Sequence, residues 1–416
     1  MPRKKECNKE PVNIKEFIES PHYLNSLGVI YPKVLQELIE INCGKYSELV
    51  ASGGIGTAKS TIAIYTQAYQ LYLLSCMDNP HKKFGLDPTS EILFVFQNLN
   101  KQLAKSVDYD RFRALIESSP YFRNHFKFNK DIKSELQFPN RILVKPVSGE
   151  QTAAIGQNVI GGMIDEVNFM EIVANSKKSV DGKTYNQATA LYNSLARRRE
   201  SRFMQGGKLP GILCLVSSKR YPGEFTDVKA EEARTDSTIY VYDKRVWDIK
   251  PEGTYSGKTF EVFVGDDARN PFILDEEDVV DEEDGHLIIE VPIEYHKQFN
   301  NDLMDALREI GGIALRSVRP FITDVTAIAD ASGKTKSALT LDEVDFSTQV
   351  LKILPKRIKY PEEQRYVHID LAVSNDHCGI VMGCIPKFVE MDRGGGLIEK
   401  LPHIHIDFAI NIKPPK

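Results

Sequence analysis

Apolar and polar residues alternate along most of the chain in segments of strand and helix length. After Tyr31-Pro32, a typical helix start, apolar residues recur at helical spacing at Val34, Leu35, Leu38 and Ile39. Short apolar segments bounded by turn residues predict strands at Glu48–Ala51, Glu91–Gln97, Leu136–Pro139, Arg141–Pro146, Val159–Glu166, Gly211–Ser217, Thr238–Trp247 and Thr259–Val264. Helices are predicted at Lys59 to about Cys76, at Lys101–Ser118 and in a segment ending in Arg197-Arg198-Arg199. This alternation favours a mostly parallel α/β sheet flanked by helices.

The pattern changes near residue 326. Around 330–346 the chain is rich in Ser, Thr, Lys and Asp, which is typical of a linker. Three strands are predicted after it, at Tyr366–Leu371, Cys378–Ile385 and His403–Ile412. Because so few strands cannot close a core, we expect a second domain that is truncated. The predicted organisation is a tail with a short helix (1–30), an α/β domain (31–325), a linker (326–360) and the beginning of another α/β domain (361–416).

Composition narrows the class of protein. The net charge of −5 excludes a uniformly basic nucleic-acid binder, so any DNA contact would use a local basic patch. The apolar runs are strand-sized and the N-terminus has no apolar signal core, so we expect neither a membrane span nor secretion. Six cysteines without a CxxC pair are typical of a reduced, cytosolic protein.

The segment Gly53–Ser60 reads GGIGTAKS and lies between a predicted strand and a predicted helix. Backbone N–H groups of such a loop and the helix N-terminus bind phosphates. Lys59 would reach the β- and γ-phosphates, and Ser60 would ligate Mg²⁺. Ala58 replaces the last glycine of the pattern, which costs little at negative φ and about 1 kcal/mol or more at positive φ. The alternative is an ordinary turn with a surface lysine. The residues predicted to bind ATP are Gly53, Gly54, Gly56, Thr57, Ala58, Lys59, Ser60 and Thr61.

An apolar strand ends about a hundred residues later in Asp165-Glu166. One acid at such a strand end can hold the Mg²⁺ shell, and the next can polarise the attacking water. We assign Asp165 to the metal and Glu166 to the general base. The alternative is that the two acids cap the next helix.

A third candidate element is Leu213–Val216 followed by Ser217-Ser218-Lys219-Arg220. Small hydroxyl side chains at a strand end near the γ-phosphate could sense hydrolysis and pass the change to the rest of the protein. Serine-rich strand ends are also common without such a role, so both interpretations stay open.

Together these motifs resemble the large terminase subunit of tailed bacteriophages. The most specific parts are Ile164–Met170 and Val216–Arg220, and the likeness runs from about residue 31 to 416, including Val291–Ile313 and Val367–Ala372. The resemblance implies a RecA-like P-loop ATPase followed by an RNase H-like nuclease, incomplete in this chain. It implies a motor that threads double-stranded DNA into a procapsid and cuts concatemeric DNA. The implied partners are the portal protein, the small terminase subunit and further copies in a ring, in the cytoplasm of an infected or prophage-carrying bacterium.

The resemblance also assigns roles to single positions. It makes Lys59 and Ser60 the Walker A lysine and hydroxyl, Asp165-Glu166 the Walker B pair, and Ser217-Ser218 the coupling motif. Gln36, upstream of the loop strand, is a candidate for the glutamine that reads adenine.

One departure from the family concerns arginine. Many terminases have an Arg inside the P-loop where this sequence has Ile55, so an arginine that stabilises the transition state must come from elsewhere. A basic helix end supplies the candidates. Its alternative role is to complement the helix dipole. The candidates, which could act on a neighbouring subunit, are Arg197, Arg198, Arg199 and Arg202, with Arg198 preferred.

In the nuclease part, Asp370 matches the family's first carboxylate, which would bind Mg²⁺ or Mn²⁺. A two-metal site needs several converging carboxylates, so further acids are required. Asp376 and Asp407 are weaker candidates for that role. His403 and His405 share a strand face but lack a visible third ligand. We therefore expect endonuclease activity only of a full-length protein.

Two other functions stay open at the level of sequence. A helicase would need a second RecA-like core, and nothing after Phe321 resembles one. A scaffold that binds ATP without turnover is suggested by Ala58 and Ile55. Contact with DNA would be electrostatic and salt-dependent, and its candidate patches are Arg197–Arg202 and Lys356–Lys359.

Overall fold

The computed structural model describes residues 10–147, 157–173, 185–265, 270–275, 288–314, 336–340, 343–345, 352–370, 378–392 and 398–413. Contacts divide the chain into two units. The first comprises Met1–Glu171 and Asn186–Thr323, and the second comprises Ile172–Tyr185 and Asp324–Lys416.

The helices of the described residues lie mainly in the first unit. They are α1 (Ile14–Glu19), α2 (Pro32–Ile41), α3 (Lys59–Ser75), α4 (Pro80–Phe84), α5 (Lys101–Leu103), α6 (Asp110–Ser118), α7 (Pro120–Asn124), α8 (Gln187–Phe203), α9 (Phe225–Glu232), α10 (Val246–Ile249), α11 (His296–Asn301) and α12 (Leu303–Glu309). In this described part of the chain, no helix combines the length and the apolar character that crossing a membrane requires.

The strands occur in both units. They are β1 (Glu48–Gly53), β2 (Ile92–Gln97), β3 (Leu136–Phe138), β4 (Ile142–Pro146), β5 (Asn158–Asp165), β6 (Ile172–Val173), β7 (Tyr185–Asn186), β8 (Leu213–Val216), β9 (Ile239–Lys244), β10 (Thr259–Phe263), β11 (Phe272–Ile273), β12 (Ile288–Pro292), β13 (Glu343–Asp345), β14 (Tyr366–Asp370), β15 (Cys378–Asp392) and β16 (Ile398–Lys413).

A seven-stranded sheet forms the centre of the first unit, in the order β3-β4-β2-β5-β8-β1-β9. Every neighbouring pair is parallel except β3–β4. The predicted parallel α/β sheet is therefore confirmed. Its carboxyl edge brings the ends of β1, β5 and β8 together, which is where ligands bind in open sheets of this kind.

Helices cover both faces of this sheet. On one face Leu49 and Ala51 of β1 join a core that includes Ile62 of α3. On the other face Val50 joins a core that includes Leu191 of α8. Because both faces are buried, β1 has no exposed position, as expected of a central parallel strand.

A smaller sheet, in the order β11-β10-β12, is antiparallel and also belongs to the first unit. Its core includes Val262, Ile289 and Val291, packed with Phe299 of α11 and Leu307 of α12. This sheet positions the end of α12, which reaches the phosphate loop.

The second unit contains a four-stranded sheet in the order β13-β16-β15-β14. The three predicted strands after the linker are confirmed as β14, β15 and β16, but β15 and β16 are longer than expected and pair as one long antiparallel ribbon. All five positions of β14 are exposed. The buried core here is small and includes Leu339, Phe408 and Ile410.

Two predicted elements of the first unit were wrong in detail. The helix expected over Lys101–Ser118 is interrupted by a π-helical turn at Ala104–Tyr109. The 3.6-residue pattern did not predict this turn, because it does not reveal a single extra residue. The strand expected to reach Trp247 ends at Lys244. There the Asp248 carboxylate accepts the Arg245 N–H at 2.8 Å, at the start of α10.

Candidate nucleotide-binding site

The phosphate loop connects β1 to α3 and contains three residues with positive φ, which are Gly53, Gly56 and Ala58. Gly53 has φ +114°, and a Cβ there would lie 2.5 Å from the backbone oxygen of Lys244, so glycine is required. Ala58 has φ 63° and ψ 17°, in the left-handed region. The departure from the glycine pattern therefore falls where a Cβ costs about 1–2 kcal/mol.

Hydrogen bonds within the first unit hold the loop in shape. The Thr57 hydroxyl donates to the backbone oxygen of Gly54 at 2.9 Å, and the Tyr242 hydroxyl donates to the backbone oxygen of Thr57 at 2.6 Å. Ile55 and Gly56 are exposed at the tip of the loop. The loop is thus anchored at its base with its tip accessible.

Lys59 turns back toward the loop. Its Nζ donates to the backbone oxygens of Gly53 at 2.9 Å and Gly54 at 2.6 Å. Burial lowers the pKa of Lys59, and the charges of Glu166 and Asp165 oppose that shift. Lys59 is therefore a partly buried lysine bonded to the loop and within electrostatic reach of both predicted acids, unlike a surface lysine.

Ser60 and Thr61 form the first turn of α3 directly after Lys59, and both are half-buried. The helix N-terminus that they belong to carries unpaired N–H groups and a partial positive charge. The first turn of α3 therefore presents the Ser60 hydroxyl and its backbone N–H groups at the end of the loop, and the phosphate and metal roles of Ser60 and Thr61 stay predictions.

Asp165 and Glu166 occupy the carboxyl end of β5. Asp165 is buried, and its Oδ1 accepts the N–H of Glu166 at 3.0 Å. Glu166 has φ 56° and ψ 38°, an uncommon conformation for a residue other than glycine. It stands at the N-cap position of the short helix Val167–Phe169, yet its side chain makes no capping hydrogen bond to that described turn. The capping alternative is therefore not supported for Glu166.

Burial changes the ionisation of both acids. It raises the pKa of Asp165 to about 8, with the nearby carboxyl of Asp108 adding to the shift. It raises the pKa of Glu166 to about 7, with the charge of Asp165 adding to the shift and Lys59 opposing it. Glu166 Oε2 is buried without a hydrogen-bond partner among the described residues. A carboxylate whose pKa lies near neutrality is well suited to accept a proton from water.

Asp108 is a buried acid of this site that sequence reasoning missed. It lies in the π-helical turn after β2, and its Oδ2 accepts a hydrogen bond from Asn98 Nδ2 at 2.9 Å. The residue pattern carried no signal for it, because its position depends on the extra residue in the turn.

Asn168 joins the ends of β5 and β8. The Asn168 N–H donates to Ser217 Oγ at 3.1 Å, and Nδ2 donates to the Ser218 backbone oxygen at 3.0 Å and to Thr226 Oγ1 at 2.9 Å. The structure thus places Ser217 and Ser218 against the turn that carries Glu166. Asn168 was quoted in the sequence motif, but its role as the link was not predicted.

Arg220 lies close to this turn, and sequence reasoning did not consider it among the candidate arginines. Its Nε donates to Glu224 Oε1 at 3.0 Å, its guanidinium donates to the Asn168 backbone oxygen, and it lies 4.4 Å from the Phe169 ring centroid. Its positive charge lowers the pKa of Glu166 and so opposes the larger effect of burial, which raises it. The search for an arginine among the basic residues of α8 missed it.

The basic end of α8 lies at the opposite edge of the sheet. Arg199 donates from Nη2 to the backbone oxygens of Ser47 and Gly211, each at 3.0 Å, and from Nε to that of Ile160 at 3.1 Å. Ser47 and Gly211 precede β1 and β8, whereas the loop follows β1. Arg199 is fully buried, so its assignments to a DNA patch and to a neighbouring ATP site were wrong.

The other arginines of α8 are more accessible. Arg198 donates to the backbone oxygen and hydroxyl of Ser194 in its own helix. Arg197 and Arg202 are exposed. Arg197, Arg198 and Arg202 lie at the opposite edge of the sheet, so they do not contact the phosphate loop of the same chain. A role for Arg198 in a neighbouring subunit stays a prediction.

Gln36 lies exposed on α2. The next residue, Glu37, accepts the Tyr240 hydroxyl at 2.6 Å and Lys244 Nζ at 2.9 Å, which ties α2 to the strand beside β1. The adenine-reading role of Gln36 stays a prediction.

The end of α12 contacts the tip of the loop. The Ile55 N–H donates to the backbone oxygen of Glu309 at 2.6 Å. An N–H of the phosphate loop is therefore paired with protein in this structure.

Among the residues that the structure describes, the acids of the second unit do not form a comparable site. Asp370 is exposed at the end of β14. Asp407 is buried and paired with Arg365 Nε at 3.1 Å, and His405 Nε2 lies 3.8 Å from its Oδ1. Asp376 lies outside the described residues. Among those that are described, no three His, Cys, Asp or Glu side chains converge as a metal site. The metal-binding role of Asp370 stays a prediction.

The fold and the loop geometry define a P-loop domain. The chain belongs to the family described as "Uncharacterized protein MJ0330, N-terminal P-loop domain", whose model matches residues 2–269. A comparison with curated proteins finds no match.

Solved structures of large terminases match most of the chain. The large terminase of bacteriophage HK97 is 13% identical, with 94% of this chain and 67% of that chain covered and a TM-score of 0.37. The large terminase of the thermophilic bacteriophage D6E in complex with ADP is 10% identical, with 91% and 68% covered and a TM-score of 0.39. The Phi-28 gp11 DNA packaging motor is 12% identical, with 82% and 77% covered and a TM-score of 0.29.

Proposed function

We propose that this chain hydrolyses ATP at the loop Gly53–Ser60. In this proposal, the loop and the first turn of α3 bind the phosphates and Lys59 contacts the β- and γ-phosphates. Glu166 accepts a proton from the attacking water at Oε2. The carrying observation is the placement of Glu166, Asp165 and Lys59 within electrostatic reach of one another beside a helix N-terminus.

The residues present also fit Mg²⁺. The donors are the Ser60 hydroxyl and the Asp165 carboxylate, and oxygen donors are what this hard cation prefers. Asp165 is buried beside another carboxyl group, an arrangement that a divalent cation would stabilise. When bound, the cation neutralises charge on the phosphate oxygens.

We further propose that hydrolysis drives the movement of double-stranded DNA, as in the terminase motors whose motifs the sequence resembles. The support within this chain is the Asn168 link, because a change at Glu166 can pass through it to Ser217 and Ser218 at the end of β8. The portal protein, the small terminase subunit, a ring of copies and a host-cytoplasmic setting belong to the same proposal. Lys356, Arg357 and Lys359 are exposed and offer a basic patch for DNA.

The test is phosphate release with Mg²⁺-ATP by the wild type, Lys59→Ala and Glu166→Gln. We expect each variant to lose about 100-fold or more, because each removes a charge or a proton acceptor that acts in the transition state. The matched controls are Lys101→Ala, at the start of α5, and Glu171→Gln, which is exposed just after the site. Both controls should retain the wild-type rate.

A second candidate function is a nucleotide-binding scaffold. It is favoured by the left-handed Ala58 and by the pairing of the Ile55 N–H with Glu309. Tight ATP binding by the wild type, with no phosphate release even when double-stranded DNA and portal protein are added, would establish the scaffold and contradict the motor.

A further inference from the structure

Asp108 is a carboxylate that the fold keeps inside the first unit. It is 0% exposed and lies in the π-helical turn Ala104–Tyr109, where the Asp110 N–H donates to the Lys105 backbone oxygen, five residues back. One extra residue in a turn rotates the following side chains by about 100° around the helix axis. Such turns occur often at functional sites.

Only one oxygen of Asp108 is engaged. Its Oδ2 accepts from Asn98 Nδ2 at 2.9 Å, whereas Oδ1 has no hydrogen-bond partner within the described part of the chain. Asn98 is itself fixed, because its Oδ1 accepts the Leu99 N–H at 2.7 Å. The carboxylate is therefore held in one orientation with a free, fully buried oxygen.

The neighbour of Asp108 is Asp165. Strands β2 and β5 are adjacent, with Gln97 paired to Ile164, so the residues that follow them meet at the same edge. The two carboxyl groups are within hydrogen-bonding reach of one another. Two buried carboxylates without a bridging cation or proton repel each other.

A purely structural role does not account for this pair. An asparagine at 108 could keep the oxygen that Asn98 contacts and also donate its amide to Asp165, which would satisfy both side chains. The aspartate is useful where a cation has to be held, because residues behind a metal ligand orient it and tune its affinity.

We propose that Asp108 is a positioning residue of the cation site. With a divalent cation bound, Asp108 would orient the Asp165 carboxylate behind it, and the Asp108 Oδ1 would serve as a further hydrogen-bond acceptor at the site. This inference rests on the proposed function, because Asp165 is the predicted metal ligand.

The test uses Mn²⁺ binding, read by electron paramagnetic resonance, to the full chain saturated with a non-hydrolysable ATP analogue. We expect Asp108→Asn to raise the half-saturating Mn²⁺ concentration about tenfold or more. Binding of the same analogue in EDTA should stay unchanged, which a merely structural defect would not allow. The matched control is Asp110→Asn, two residues along and exposed, which should behave like the wild type.

The outcomes separate the two proposals. If the wild type binds Mn²⁺ with the nucleotide and Asp108→Asn binds it equally well, the inference is overturned while the proposed site stands. If the wild type binds no nucleotide-dependent Mn²⁺, the proposed site fails and the inference fails with it. Asp108→Ser, which retains an acceptor for Asn98, repeats the test should the asparagine variant fold poorly.

Discussion

The two edges of the seven-stranded sheet both contain buried charges, but they arrange them differently. At the amino edge, Glu48 lies 3.0 Å from Lys229 Nζ, and the Tyr192 hydroxyl donates to Glu48 at 2.7 Å. Arg199 is held there by backbone oxygens from three segments. Glu48 and Lys229 form an ion pair of opposite charges, and the Arg199 contacts tie the beginnings of the strands together.

At the carboxyl edge, like charges are left side by side. Asp108 and Asp165 are buried together, and Ala58 and Glu166 both have positive φ. Each feature costs stability, and strain of this kind persists mainly where a site uses it. The comparison teaches that burial of charge alone does not mark a functional site. Adjacent like charges and strained backbone distinguish the carboxyl edge from the amino edge.

The largest expected effect comes from removing the buried arginine of the amino edge. In Arg199→Met the backbone oxygens of Ile160 and Gly211 lose the Arg199 donor, and each buried unpaired acceptor costs about 1–3 kcal/mol. The Ser47 oxygen loses the same donor but keeps the Leu213 N–H at 3.0 Å. We expect the free energy of unfolding to fall by about 3 kcal/mol or more. Urea denaturation followed by circular dichroism measures it.

The matched control for this prediction is Arg198→Met, one residue earlier on the same helix. Arg198 is only half-buried and contacts its own helix, so the loss should stay below about 0.5 kcal/mol. Equal losses in the two variants would contradict the structural role of Arg199.

The difference between the edges also explains what the sequence could predict. The glycine-rich loop and Asp165-Glu166 were found because their chemistry depends on local spacing, and the parallel sheet followed from the alternation of elements. Arg199 and Arg198 look alike in sequence, and only tertiary packing buries one of them. Asp108 depends on a one-residue insertion in a helical turn, which hydrophobic periodicity does not reveal.

The next prediction concerns pH and the carboxyl edge without metal. The folded pKa of Asp165, about 8, lies above its ordinary value of 3.8, so the folded state binds the proton more tightly than the unfolded state. Stability from this group is present below pH 4 and is lost as pH rises toward 8. In EDTA, the unfolding free energy should fall by about 1 kcal/mol per pH unit between about pH 5 and 7.

Asp165→Asn should reduce this slope and be more stable than the wild type at pH 7.5 by about 2 kcal/mol, because a neutral amide replaces the repelled carboxylate. Glu166, whose pKa burial raises to about 7, should keep its own part of the slope. The exposed Asp110→Asn should keep the wild-type slope. Thermal unfolding across this pH range measures both variants. A wild-type curve that is flat from pH 5 to 8 would contradict the like-charge description of this edge.

The smallest expected effect concerns backbone strain in the phosphate loop. Ala58 has φ 63°, where a Cβ is unfavourable and glycine is not. Ala58→Gly should therefore stabilise the nucleotide-free protein by about 1 kcal/mol, although glycine usually destabilises by making the unfolded chain more flexible. Urea denaturation in the absence of nucleotide measures the change.

The matched control is the reverse substitution near the other edge of the sheet. Gly206, after α8, has φ +57°, and an added Cβ would meet nothing within 4 Å. Gly206→Ala therefore adds left-handed strain without a clash and should destabilise by about 1 kcal/mol. Opposite signs at the two positions would show that the phosphate loop holds strain that the left-handed turn at Gly206 avoids by using glycine. A loss of stability in Ala58→Gly would instead mean that the loop is not strained at this position.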